Sequence, residues 1–135
     1  MIKLKEILTV HNLKKYYGNR GNITKAVDGI SFQVLEGEFV AIMGASGSGK
    51  TTLLNTISTI DTVTSGNIFI DKQDITQLKE DDLADFRRLN LGFIFQDFNL
   101  LDTLTIEENI ELSLIINHED ILSVDKKVDD MARKL

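Results

Sequence analysis

The chain has 135 residues, 42% of them hydrophobic, which is enough for one small domain with a core and too many for general disorder. Its net charge of −6 argues against a nucleic-acid-binding surface, which is usually basic. It holds no cysteine for disulfides, zinc sites or thiol chemistry, its first residues carry no long apolar signal segment, and no stretch approaches the ~18 apolar residues of a membrane span.

The elements alternate between strand-like and helix-like patterns, which predicts an α/β fold. Residues 7–10 read as a first strand, and residues 16–22, with Gly and Asn as turn formers, as a loop. Residues 29–35 form a second strand with Ile30, Phe32 and Val34 alternating. Glu36-Gly37-Glu38 is a tight turn. The apolar run Phe39-Val40-Ala41-Ile42-Met43 then reads as a buried parallel strand. After residues 44–51 comes a helix at 52–57, and Ser65-Gly66 turns into a strand at 67–70. Asp71-Lys72-Gln73 turns again, as in a hairpin of an antiparallel layer.

The spacing predicts a charged helix at 80–89, opened by the solvated run Glu80-Asp81-Asp82, and an apolar strand at 91–95, with Phe93 and Phe95 facing the core. Thr105 and Glu108 fit a capping box for a helix with Ile106, Ile110 and Leu114 on one face. Ser123 caps a last helix with Val124, Val128, Met131 and Leu135 on one stripe. That stripe meets no Gly, Asn or Pro stop, so the expectation is a chain interrupted within a helix. His11 and His118 stand in no ligand or triad spacing, and neither is expected to be catalytic.

Residues 44–51, Gly-Ala-Ser-Gly-Ser-Gly-Lys-Thr, match G-x-x-x-x-G-K-[ST], the phosphate-binding P-loop, in its strand–loop–helix setting. Gly44, Gly47 and Gly49 permit the turns and the close backbone approach to phosphate. Ala45, Ser46 and Ser48 complete a run of N–H groups that can form an anion nest, ahead of the positive end of the next helix. Lys50 would reach the β- and γ-phosphates, and the Thr51 hydroxyl would be a ligand for Mg2+, a hard cation that takes oxygen.

With the P-loop, the lead-in Glu36-Gly37-Glu38-Phe39-Val40-Ala41-Ile42-Met43, the turn and strand at 62–70, and Leu91-Gly92-Phe93-Ile94-Phe95-Gln96, almost the whole chain resembles the first half of an ABC transporter ATP-binding subunit. Residues 93–101 look most like the subgroup that powers lipoprotein release, macrolide efflux and peptide-antibiotic resistance. The resemblance implies an incomplete P-loop NTPase core with an antiparallel β layer and the start of a helical subdomain, over residues 1–135. It implies ATP and Mg2+ as ligands, with Lys50 and Gln96 catalytic and Thr51 and Gln96 at the metal. Gly44 through Thr52 would hold the phosphates. Tyr17 or its neighbour Tyr16 would stack on adenine, and Val27 would flank base or ribose. Phe98, Leu100 and Leu101 would face a membrane-spanning permease subunit. The parent would work as a dimer of nucleotide-binding domains at the inner face of the cell membrane, without nucleic acid.

The resemblance also implies an acidic general base, a signature segment and a switch histidine, none of which the chain contains. The missing strands would lie between the runs at 39–43 and 91–95, whose edges would otherwise be open. The expectation is therefore a marginally stable chain, inactive by itself. The competing readings are a fragment that binds nucleotide weakly without turnover, a soluble ABC-type ATPase, and a P-loop kinase or GTPase. The last lacks an Asn-Lys-x-Asp motif.

Overall fold

The computed structural model describes residues 5–19, 21–97, 99–117 and 119–134; it describes Ile121 and Leu122 by backbone alone. The expectations for Phe98, His118 and Leu135 therefore lie outside the described residues. The described chain divides into two compact units, residues 1–92 and 93–135. Among the described residues, no helix is long and apolar enough to cross a membrane.

In the first unit, β1 (Glu6–Tyr17) and β2 (Thr24–Leu35) form a long antiparallel pair. Tyr16 pairs with Lys25 and Tyr17 with Thr24, so both tyrosines end a strand. The sequence had suggested a loop there, because the glycines at 18 and 21 dominate the local pattern. Both adopt positive φ, where glycine bears little steric cost, and the loop begins only after Tyr17. On its other side β1 pairs antiparallel with β3 (Ser65–Ile70), and β3 with the two-residue β4 (Gln73–Asp74), giving the order β2-β1-β3-β4. Asp71 and Lys72 turn the β3–β4 hairpin with both residues at positive φ, the backbone of a type I′ turn.

The inner face of this sheet carries Val10, Leu13, Val27, Ile68 and Ile70. Leu53 of α1 (Lys50–Ile57), Ile75 and Phe86 of α2 (Glu80–Asn90) close the core against it. The first turn of α2 carries Glu80, Asp81 and Asp82, all exposed, and its last turn carries Arg87 and Arg88. Both groups complement the helix dipole. Arg87 Nη1 donates to Thr59 O at 2.9 Å and so ties α2 to the turn after α1.

Two expected strands are absent from the sheet. Residues 39–43 and 91–95 join no ladder of the described residues. Phe39 is 96% and Met43 89% exposed, while Ile42 packs on the core. Leu91 instead caps α2, with its N–H on Arg87 O at 3.1 Å. An apolar run becomes a buried strand only when a neighbour pairs with its backbone, and none of the described strands does so here.

In the second unit, Phe93 and Phe95 are exposed and contact each other, with ring centroids 4.4 Å apart, in place of the core role their alternation suggested. α3 (Ile106–Ile116) starts on the capping box: Thr105 N donates to Glu108 Oε2 at 2.7 Å and Glu108 N to Thr105 Oγ1 at 3.2 Å. Ile110 and Leu114 are half-buried, but Ile106 at the helix start is exposed. The Asn109 amide donates to the carbonyls of Leu101, Leu104 and Thr105, which fixes the preceding turn. α4 (Ile121–Ala132) buries Val124 and Val128. Met131 stays exposed. Ser123 is not its cap. It lies inside the helix and donates back to Asp120 O, a bond available to a serine one turn in.

The Glu108 carboxyl is held below its ordinary range by the Thr105 backbone N–H, then by the Thr105 side chain. The folded state binds this proton less readily than the unfolded chain, whose glutamate titrates near 4.5. The box therefore supports α3 above that pH and weakens as pH falls through the lower folded value. Amide exchange at the start of α3 should accelerate in acid. Glu108→Gln should remove that acid dependence, whereas Thr105→Ala, which keeps the backbone N–H, should only lessen it and should cost about 1 kcal/mol at neutral pH; unchanged protection in acid would contradict the assignment.

Candidate nucleotide-binding site

The P-loop lies between residues 39–43 and α1. Gly47 and Gly49 have φ of 76° and 87°, the left-handed region that favours glycine. Gly49 is also the N-cap of α1 and therefore offers no capping side chain, and no carboxylate stands in the first turn. The first N–H groups of α1 therefore face no competing anion from their own helix. A β-carbon on Gly49 would lie 2.1 Å from Ala26 O and 3.7 Å from Val27 Cγ2, so this glycine lets β2 approach the loop from beneath. A β-carbon on Gly44 would meet Ser48 Oγ at 2.6 Å.

Lys50 Nζ turns back into the loop. It donates to Gly44 O at 2.9 Å, Ala45 O at 2.7 Å and Ser48 Oγ at 3.3 Å. Among the described residues no carboxylate forms an ion pair with it. The ammonium thus sits among the backbone of the phosphate-binding residues, held by neutral oxygens that a phosphate can replace. Ala45, Ser46, Gly47, Ser48 and Thr51 are exposed, and Thr52 is half-buried. No cluster of three acidic, His or Cys residues suited to a metal occurs among the described residues. The exposed Thr51 hydroxyl is an oxygen of the kind Mg2+ takes, an ion commonly held by one or two protein oxygens together with substrate phosphates and water.

The two tyrosines separate by face. Tyr16 is half-buried, and its hydroxyl donates to Asp28, which Lys25 also contacts at 3.1 Å. Tyr17 shares the side of Lys15 and the P-loop helix. Its hydroxyl donates to Asp61 Oδ2 at 2.7 Å. Tyr17 as a whole is 43% exposed. The structure thus groups Tyr17 with the loop at 44–52. Val27 joins them from below, but it is 3% exposed and packed in the core, so burial leaves it almost no surface for a base or ribose. Gln96 stands exposed in the second unit, at a bend just after Phe95.

Lys15 and Asp61 were not singled out from the sequence. Lys15 is buried and donates to Asp61 Oδ1 at 2.6 Å and Thr62 O at 2.7 Å. The one signal was its place two residues after Leu13 and two before Tyr17, on a common strand face. Asp61 lies in a turn with no periodicity to mark it.

Residues 27–135 match the family described as ABC transporter. The chain belongs to that family. It is 50% identical over 129 residues to the bacitracin export ATP-binding protein BceA of Halalkalibacterium halodurans, spanning 96% of this chain and 51% of that protein. It is 52% identical over 130 residues to the ABC transporter ATP-binding protein YxdL of Bacillus subtilis, spanning 96% of this chain and 50% of that one. Among solved structures, the dimeric ATP-binding cassette MJ0796 of Methanocaldococcus jannaschii, bound to ADP and Pi, superimposes with a TM-score of 0.85 at 38% identity, over 92% of this chain and 55% of that one. The chain thus spans about half the length of the relatives it matches. The bacitracin-export relative agrees with the peptide-antibiotic subgroup read from residues 93–101.

Gly49→Ala places a β-carbon against the Ala26 carbonyl and strains a left-handed residue. It should cost about 2–4 kcal/mol. A thermal melt with unchanged midpoint would show that the loop does not rest on β2.

Proposed function

We propose that the chain is the ATP-binding part of an energy-coupling subunit of an ABC transporter, in which ATP hydrolysis drives export or release of a substrate through a separate membrane-spanning permease. The observation that carries this reading is the Lys50 ammonium seated inside the glycine loop, on oxygens that phosphate can displace. The names of the relatives support it, and bacitracin export points to peptide antibiotics as the substrate class. The dimer of MJ0796 supports a paired arrangement of nucleotide-binding domains. Such a subunit would lie at the cytoplasmic face of the membrane, held by its permease.

In this reading the backbone of Gly44 through Thr52 cradles the phosphates, aided by the positive end of α1. Lys50 exchanges its loop carbonyls for β- and γ-phosphate oxygens. Thr51 holds Mg2+, which when bound neutralises charge on the phosphates. The family pattern, and not a placement seen here, assigns Gln96 the role of offering an amide oxygen to the metal and orienting the attacking water. Tyr17 rather than Tyr16 stacks on adenine, because its hydroxyl bonds Asp61 in the turn after the P-loop helix, whereas Tyr16 bonds Asp28 of β2. Val27 supports the loop from below, and Leu100 and Leu101 meet the permease. Catalysis of this kind is mostly positioning and charge stabilisation.

Two measurements test the reading. Lys50→Ala removes charge-assisted hydrogen bonds of about 1.5–3 kcal/mol each, so Mg-ATP affinity should fall roughly 100-fold or more by calorimetry. Unchanged affinity would remove the P-loop assignment. In the native protein, Gln96→Ala should slow hydrolysis about 100-fold while ATP binding shifts only slightly, because the residue acts on water position. Equal losses in both would count against a metal–water role.

A further inference from the structure

Three side chains converge where β1 ends and the turn after α1 begins. Asp61 receives Lys15 Nζ on Oδ1 at 2.6 Å and the Tyr17 hydroxyl on Oδ2 at 2.7 Å. Its Oδ1 also accepts the Thr62 backbone N–H at 2.7 Å. The same residue is fixed to the P-loop helix, because its own N–H donates to Asn55 O at 3.0 Å. Lys15 Nζ, besides its bonds to Asp61 and Thr62 O, stands 4.9 Å from the centre of the Tyr17 ring. The ion pair is largely enclosed, with side-chain exposures of 10% for Lys15 and 29% for Asp61. These contacts fix the ring at both its hydroxyl and its face.

We infer that Asp61 and Lys15 are positioning residues for the nucleotide base: they hold the Tyr17 ring as a fixed shelf and tie it to the C-terminal turn of the P-loop helix. The inference rests on Tyr17 being the adenine-stacking residue. A tyrosine at a strand end would otherwise sample several rotamers, and stacking would then carry the entropic cost of ordering it. Here the ordering is done by an ion pair that belongs to the fold. The ammonium attracts the ring electrons from one side, and Tyr17, 43% exposed as a residue, keeps surface open to a purine. The α1 helix links the two halves of the site. Its first turn follows the phosphate loop, and the Asn55 carbonyl in its last turn holds the Asp61 N–H.

The titration behaviour agrees. The hydrogen bond to Asp61, then burial, raises the Tyr17 phenol above its ordinary range. Burial pushes the Asp61 carboxyl up, but the hydrogen bonds from Lys15, Tyr17 and the Thr62 N–H outweigh it and leave the carboxyl below its ordinary range. The phenol therefore keeps its proton and the carboxylate its charge throughout the neutral range.

The test compares Mg-ATP with magnesium tripolyphosphate, which has the phosphates but no base, on the native protein by calorimetry. Tyr17→Phe removes only the anchored hydroxyl and leaves the ion pair intact, so it covers the case in which an Asp61 variant fails to fold. Tyr17→Phe and Asp61→Ala should each lower ATP affinity about five-fold and leave tripolyphosphate affinity unchanged. Asp61→Asn, which still accepts from the phenol, should recover part of the loss. Asp61→Ala in the Tyr17→Phe background should add little. If Tyr17→Ala weakens ATP selectively while Tyr17→Phe and Asp61→Ala do not, the shelf stands and the positioning role is overturned. Equal weakening of both ligands by Asp61→Ala would also overturn it, leaving a purely structural ion pair. If Tyr17→Ala spares the preference for ATP over tripolyphosphate, the stacking assignment itself fails, and the inference with it.

Discussion

The first unit depends on one close approach, that of the Gly49 α-carbon to the β2 backbone. No residue with a β-carbon fits there, since that atom would stand 2.1 Å from the Ala26 carbonyl. The approach brings α1 down onto the sheet, where Leu53 joins the core with Val10, Leu13, Val27 and Ile68. It also sets the height of the loop above β2, with Tyr17 at the end of β1 bonded to Asp61 in the turn after α1. The antiparallel layer is thus a foundation for the phosphate loop. A small error in this contact would move the whole candidate site, because loop, helix start and aromatic side chain share it.

A second tight contact keeps the foundation rigid. Gly66 of β3, at φ 94°, passes so near the β1 bulge that an added β-carbon would lie 2.6 Å from His11 O and 2.5 Å from Asn12 O. Asn12 itself has φ of 43°, and its N–H donates to Ser31 Oγ at 2.8 Å. The bulge shifts the side-chain alternation of β1, which lets Val10 and Leu13, three residues apart, both lie in the core.

Features set by local chemistry were legible in the sequence. The P-loop, the Thr105–Glu108 box and the Asp71–Lys72 turn each need particular residues at fixed offsets, and each appears where the sequence placed it. Features set by distant partners were not. Residues 39–43 and 91–95 are apolar enough to be strands, yet hydrophobicity reports a need for burial without naming what covers it. Lys15 would be read as a surface lysine by type, and only the fold shows Asp61 beside it. Tyr16 and Tyr17 could not be told apart by composition; the pleat of β1 separates them. Gln96 rests on the family pattern alone, since the structure places it only at an exposed bend after Phe95.

The inward fold of Lys50 bears on how phosphate is recognised. Its ammonium already has oxygen partners within the loop, two of them backbone carbonyls. Binding a polyphosphate is therefore an exchange of partners. The carbonyls of Gly44 and Ala45 must return to water or turn away as the lysine leaves them. The net gain is the difference between charged and neutral acceptors, much smaller than the raw attraction between opposite charges. A loop built in this way rewards high charge density. If the loop binds polyphosphate as proposed, a neutral or singly charged oxygen ligand would offer the lysine little more than its own backbone does, and anions of low charge would compete poorly there.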